Sequence, residues 1–408
     1  MKKTIALIMA VLMLVLVCGC GNSTAAETAA EPAETEEAAG TVEAEVEAAE
    51  EMTVDYGAFY ALYDPDEVVM TVDGNDITWA EYAFGLYSTA YNLEYYMTMY
   101  YGMSMDPAME LNDEGYTVNQ YLLDSAREYV VQNYAVIKYA ESKGVVLSAD
   151  EESYVAGLPD TDRINYLGED STEEEFDALL AQLYLNRATY EKNNRISYIY
   201  GILENRIYGE NGQNISAEEA VAYLEAAGYM HAIHILIPTV DLSTYEALDD
   251  AAVAEAKAQA EELAAELQAI TDNDARKAKF YEYMNEYSQD TGLSRYPDGY
   301  TFKSGEMVSE FEEAVKSGAD YEVSDPVLSS YGYHIIMTLP LDADGIISYD
   351  SSTGSPVTIR TTMASEFIDT GISDAAESTE VVFLQEVDKI DLNQFLVPAA
   401  VSTEETVE

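Results

Sequence analysis

Hydrophobic positions fall into three regimes along the chain. After Met1-Lys2-Lys3 comes an unbroken apolar run at residues 4–17. From residue 21 to about 53 apolar anchors almost vanish among Ala, Glu and Thr. Beyond that, the periodicities of folded elements begin. Residues 67–77 predict a short strand and an Asp-Gly/Asn turn at Asp73-Gly74-Asn75. Thr78 and Glu81 then form a capping box, and Ser148/Glu151, Ser171/Glu174 and Ser216/Glu219 repeat that start signal. Helical periodicity covers residues 79–101, 118–143, 173–208 and 217–227. Tyr and Met recur along the first of these, from Tyr87 to Met103. Such a stripe fits either a helix packed on its neighbours or a client-binding surface.

The pattern changes at residue 230. Residues 230–237 read as a strand ending at Pro238, followed by helices at 246–270 and 275–287 and a Gly/Pro/Asp-rich loop at 290–302. A short helix at 308–315 and a second strand at 333–339 complete the segment. Helices lying between strands in this order predict a compact α+β unit of about 110 residues. Residues 342–356 read as a polar loop, 359–377 as a helix and 381–395 as renewed apolar chain, with the end from Pro398 expected to fray.

Charge and cysteines narrow the classes. The 408 residues carry 77 Asp+Glu against 19 Lys+Arg, a formal charge of −58. Nucleic acid and anionic membrane surfaces are excluded as direct partners, since both require Lys/Arg against phosphate. Two cysteines exclude a disulfide scaffold and a Cys-rich metal site. The apolar run at 4–17 is too short to span ~30 Å of hydrocarbon, which needs about 20 residues, and reads as a signal-peptide core. Leu16-Val17-Cys18-Gly19-Cys20 resembles a bacterial lipobox, with Gly19 before the lipidated cysteine, Cys20. The acidic stretch that follows reads as a solvated tether.

All three histidines, His231, His234 and His334, lie in the α+β segment. His231 and His234 have an H-x-x-H spacing, but strand residues three apart point to opposite faces and no third ligand is apparent, so no metal is expected. His234-Ile235-Leu236-Ile237, Tyr287-Ser288-Gln289-Asp290, the stretch from Gly305 to Glu312, Val323-Ser324-Asp325-Pro326-Val327 and Tyr331-Gly332-Tyr333-His334-Ile335-Ile336 stand in the order of the parvulin peptidyl-prolyl isomerases. The segment resembles that family. The wider plan of signal, tether and helical region resembles the lipid-anchored PrsA-type foldases and the periplasmic SurA-type chaperones.

The resemblance implies an α+β parvulin domain, a small antiparallel sheet with surrounding helices, inserted in or following a mainly α-helical chaperone domain. The expected divisions are a signal peptide at 1–19, an acidic tether at 20–63, a helical chaperone domain at 64–227, the isomerase domain at 228–340 and a segment at 341–408 returning to the chaperone domain. It further implies that His234 and His334 are the central histidine pair, with Asp290 near the substrate carbonyl and Ser329 contacting the histidines. Met307 and Phe311 would be floor and wall of the proline pocket. The leucine that lines that pocket in the family aligns with Gly299, or with Tyr300 if the loop shifts by one. That departure leaves two functions open: an isomerase acting on secreted, unfolded or partly folded polypeptides from the outer face of the cell membrane, and a non-enzymatic holdase using a degenerate parvulin unit. A solute-binding lipoprotein shares the signal and tether, but it requires strand–helix alternation that the long helical first half lacks. No cofactor is implied.

Overall fold

The computed structural model describes residues 52–399; the expected signal, Cys20 and most of the acidic tether lie outside the described residues. The chain divides into two compact units. Among the described residues, one comprises 52–203 and 368–399, and the other, Glu204–Phe367, is inserted between those two parts of the sequence. The boundaries fall inside the helices Arg187–Tyr208 and Ile359–Glu377.

In the first unit, strands Val68–Val72 and Asn75–Thr78 form a hairpin, and Val381–Phe383 adds to the free edge of the first. Asp73 and Gly74 both have positive φ (48° and 77°), the geometry of the primed two-residue turns that match strand twist. The hairpin leads directly into helix Trp79–Tyr101, whose capping box at Thr78 and Glu81 is formed in both directions. Helix Val118–Ser142 packs beside it and has its own box at Thr117 and Gln120, a start signal absent from the sequence expectations. Trp79 is fully buried against Phe59 and Tyr63 and donates its indole N–H to the Tyr60 carbonyl at 2.7 Å.

Several expectations are corrected here. The tether does not extend to residue 63: Met52–Val54 pairs with Leu396–Pro398, Asp55 caps a short helix, and Tyr56 and Phe59 are buried. The same pairing orders Pro398, the residue from which fraying was expected. The helix expected over 173–208 is two, Glu173–Ala181 and Arg187–Tyr208. Between them Tyr184 turns left-handed (φ 54°) so that Leu183 and Leu185 both face the core, and Asn186 restarts the helix by accepting from the Thr189 N–H. The box before the first of these is Thr172/Glu175, one residue later than Ser171/Glu174, because Ser171 is held by Arg163. The Tyr/Met stripe is divided: Met97 is buried and Tyr87 and Tyr91 pack partly buried against the core, whereas Tyr95, Tyr96, Met99, Tyr100, Tyr101 and Met103 are exposed.

The inserted unit is built on a four-stranded antiparallel sheet, ordered Tyr300–Phe302, Met230–Pro238, Gly332–Thr338, Val327–Leu328. Nearly every residue of the two central strands is buried, which requires cover on both faces. Ile233, Ile235, Ile237, Ile335 and Met337 pack against helices Asp250–Gln268 and Asn273–Tyr287. Ala232, Ile336 and Phe302 on the other face meet helix Ser309–Ser317 through Phe311 and Val315. His234 and His334 share that second face with Ala232 and Ile336, because side chains alternate along each strand. The polar loop expected at 342–356 contains a hairpin, Ile346–Tyr349 with Pro356–Thr358. The Asp350 carboxylate organises its turn by accepting from the backbone N–H groups and hydroxyls of Ser352 and Thr353.

Candidate active site

Strand register places the two histidines. His234 stands opposite Ile336 and Leu236 opposite His334, so the two imidazoles are diagonal neighbours on one face. Their rings stack nearly parallel, with Nδ1 facing Nδ1 at 3.0 Å. His334 Nε2 meets the Ser329 hydroxyl at 2.7 Å, and His234 Nε2 lies 3.2 Å from Asp290 Oδ2. Ser329, His334, His234 and Asp290 thus form one continuous polar line across the sheet, and its first three members are buried.

Asp290 is delivered by the end of helix Asn273–Tyr287. Ser288 accepts from the Leu236 and Asp290 N–H groups, and the Gln289 N–H donates to the Leu236 carbonyl, which fastens the helix end to the His234 strand. Burial pushes the Asp290 carboxyl upward, but hydrogen bonds from His234, Tyr300 and the Gly292 N–H outweigh it and bring its pKa to about 2. A carboxylate only accepts, so His234 Nε2 and the Tyr300 hydroxyl must donate to it. Burial, reinforced by the charge of His234 and only partly opposed by Asp290 and Glu310, lowers His334 to about 3. A neutral His334 carries one ring proton, so one of its nitrogens donates along the line and the other accepts.

The pair forms the floor of a cavity of about 330 Å³ lined by Leu236, Leu242, Met307, Val308, Phe311 and Tyr300 among others. The Phe311 ring stands edge-on to His234, with centroids 5.2 Å apart. Met307 sits on a loop held by the Glu312 carboxylate, which gathers the N–H groups of Gly305 and Met307, the Ser304 hydroxyl and Lys316. Burial would raise Glu312; the Gly305 N–H and Lys316 lead the interactions that hold it down at about 2.

All seven expected residues of this segment, His234, Asp290, Ser329, His334, Met307, Phe311 and Tyr300, come together, six of them lining the cavity and Ser329 behind His334. Of Gly299 and Tyr300, Tyr300 is the one whose side chain lines the cavity. Gly299 has φ +100°, and a Cβ there would lie 2.5 Å from the Ala232 carbonyl, so it presents no side chain. Tyr300 starts the edge strand and reaches the cavity, its hydroxyl 2.6 Å from Asp290 Oδ2. Tyr296 lies against Tyr300 and meets Tyr349 of the 346–358 hairpin edge-on, which makes this wall aromatic.

Sequence reasoning missed the roles of His231, Ser288 and Glu312. His231 lies outside the cavity lining, with Nδ1 on the Pro340 carbonyl (2.8 Å) and Nε2 on the Asp298 carbonyl (3.1 Å). It ties the turn before Tyr300 to the exit of the His334 strand. Its only sequence signal is its place on the buried strand.

Comparison with known proteins bears on the same segment. The family model "Rotamase: PPIC-type PPIASE domain" matches residues 234–339. The foldase protein PrsA of Geobacillus kaustophilus is 52% identical over 58 residues, 14% of this chain and 21% of that protein. The foldase protein PrsA of Staphylococcus aureus is 41% identical over 108 residues, 26% and 31% of the two chains. The chaperone SurA of Burkholderia thailandensis is 41% identical over 69 residues, 17% and 15%. These matches span less than a third of the relatives' own lengths. Among solved structures, PrsA from Bacillus subtilis is similar at 19% identity over 66% of this chain and 90% of that one, with a TM-score of 0.24. Residues 234–339 therefore form a PPIC-type PPIase domain, homologous to the corresponding stretches of PrsA and SurA.

Proposed function

We propose that this chain, which carries a PPIC-type PPIase domain at residues 234–339, catalyses cis–trans isomerisation of X-Pro bonds in unfolded or partly folded secreted polypeptides. The observation that carries the reading is the Nδ1-to-Nδ1 contact of His234 and His334, bounded by Ser329 and Asp290, on the floor of a largely apolar cavity.

Rotation about the amide faces a barrier of ~18–20 kcal/mol, because twisting destroys the resonance that gives the planar bond its charge separation. The planar forms are therefore more polar than the twisted one, and water stabilises them more. A site accelerates rotation if it binds the twisted amide better than either planar form. Met307, Phe311, Leu236 and Tyr300 would hold the proline ring and displace water from the bond. The four polar residues hydrogen-bond mainly to one another, so they resolvate the planar amide poorly while keeping a fixed field beside it. In this role His234 and His334 are the central pair, Asp290 sets the direction of the proton line, and Ser329 closes its far end. No bond is broken and no cofactor is called for.

Lipid attachment at Cys20, an acidic tether and an extracytoplasmic site of action complete the proposal. Among the described residues no helix is long and apolar enough to cross a membrane; anchorage in this reading rests on the lipobox resemblance of residues 16–20. Two acyl chains suffice for stable attachment at ~0.8 kcal/mol per buried CH₂.

The test is isomerisation of a proline-containing tetrapeptide, followed by NMR exchange, with full-length protein and His334→Ala. Wild type should exceed the uncatalysed rate and His334→Ala should fall well below wild type while keeping native circular dichroism. Wild-type rates equal to background would overturn the enzyme reading. Mass analysis of the processed N-terminus, expected to show diacylglyceryl on Cys20, tests the anchor.

A further inference from the structure

The mouth of the same cavity holds three side chains that rotation of the amide does not employ: Tyr245, Tyr331 and Glu306. We propose that they select a lysine or arginine as the residue immediately before the proline. This rests on reading the cavity as an X-Pro site and adds which X it favours.

The charge balance of the lining is one-sided. It contains two carboxylates, Asp290 and Glu306, and no Lys or Arg. Asp290 is committed to Tyr300, the Gly292 N–H and His234. Glu306 is exposed and is held in place because its Oε2 accepts from the Lys303 N–H at 2.7 Å. The Lys303 ammonium itself lies over the Tyr229 ring at 4.6 Å, a residue that does not line the cavity. A long cationic side chain entering the mouth would therefore find an oriented carboxylate, whereas an acidic one would meet like charge.

The aromatic half of the mouth is built by a specific turn. The Asp241 carboxylate accepts from the Ser243 and Thr244 N–H groups, and the Tyr245 N–H closes back on the Asp241 carbonyl at 2.7 Å. Tyr245 itself sits at φ 58°, uncommon for a bulky residue, and remains 67% exposed. That conformation sets its ring beside Tyr331, with centroids 6.2 Å apart. Two tyrosine rings and a carboxylate on one cavity lining suit an ammonium or guanidinium, which is drawn to a ring face while its aliphatic stem covers apolar surface.

Fluorescence anisotropy with labelled Ala-X-Pro-Phe peptides on the full-length protein tests the selection. Peptides with X as Lys or Arg should bind at least fivefold tighter than Leu, with Glu weakest, and the preference should shrink as salt is raised. Glu306→Gln and Tyr245→Ala should each reduce the Lys-to-Leu ratio several-fold. A wild-type ratio of one or less, or a ratio untouched by Glu306→Gln, would overturn the proposal. Isomerisation of the same peptides by NMR exchange separates the two layers. Turnover without a lysine preference removes the selection and keeps the isomerase; a lysine preference in binding without turnover does the reverse.

Discussion

The Tyr300 hydroxyl donates to Asp290 Oδ2 at 2.6 Å, the same oxygen that lies 3.2 Å from His234 Nε2. One carboxylate oxygen thus joins the wall of the cavity to its floor. Asp290 in turn holds the Tyr300 phenol above its usual range, after burial has already raised it. The residue that departs from the leucine of the resembling family is therefore wired into the polar line.

Tyr300→Phe keeps the ring and removes this donor. The expected result is about a tenfold fall in kcat/KM on an X-Pro peptide, roughly 1.4 kcal/mol and near the lower bound for a hydrogen bond to a charged group. The Asp290 carboxyl should also titrate higher than about 2, its present value, since one of the groups depressing it is gone. A depressed carboxylate contributes stability above its unfolded value of 3.8 that is lost as pH falls toward the folded one. In the variant the acid limb of activity should therefore begin at higher pH. An unchanged pH–rate profile would contradict the assigned donation.

Much of this site was legible because the residues that carry it stand in short local motifs. The His234 and His334 segments, the Asp290 turn and the Met307–Phe311 stretch were expected at the site because their order resembles that of the parvulin motifs. What sequence hid depends on distant partners. Met52–Val54 becomes a strand only because Leu396–Pro398 returns to it, so the tether seemed to run past residue 53. Leu183 and Leu185 continue a plausible helical pattern, and only burial of both reveals the break at Tyr184. His231 invited a metal reading that its strand position ruled out, yet its actual partners are backbone carbonyls of residues 298 and 340. No local pattern could name those.

The His334 imidazole provides a pH signature. Its folded pKa, about 3, lies below the ordinary 6.5, so the unfolded chain takes up the proton first as pH falls. Stability is present above about 6.5 and is lost progressively as pH falls from there toward 3. In an NMR titration the His334 ring signals should stay those of a neutral imidazole at pH 5. His334→Gln should flatten the dependence of thermal midpoint on pH between 6.5 and 4 relative to wild type. A His334 resonance that titrates near 6.5 would contradict the account.

The bridge made by His231 predicts a split between two substitutions. His231→Leu removes the ring that meets the Asp298 and Pro340 carbonyls, and since a neutral imidazole donates to one of them, it should cost about 1 kcal/mol, the net worth of one hydrogen bond. Because the Asp298 turn presents Tyr300, KM should rise more than kcat falls. His231→Gln restores one donor and should recover part of the KM. Equal KM values for wild type and the leucine variant would reduce His231 to an ordinary core residue.

The C-terminal helix supplies a test of how the first unit is completed. A Cβ at Gly371 would lie 2.1 Å from Tyr139 Cε2 and 2.5 Å from its Cζ, so helix Ile359–Glu377 approaches helix Val118–Ser142 here as closely as glycine allows. Gly201, on helix Arg187–Tyr208 of the same unit, has open space, with nothing within 4 Å of where a Cβ would stand. Gly→Ala inside a helix gains about 1 kcal/mol from backbone propensity, whereas overpacking a filled contact costs about 1–3 kcal/mol. Gly201→Ala should therefore stabilise the first unit, and Gly371→Ala should destabilise it by about 1 kcal/mol net. Trp79 is the chain's one tryptophan and is fully buried in this unit, so its fluorescence reports the denaturant midpoint of this unit. A rise in midpoint for both variants would mean that the C-terminal helix does not pack on Tyr139 in solution.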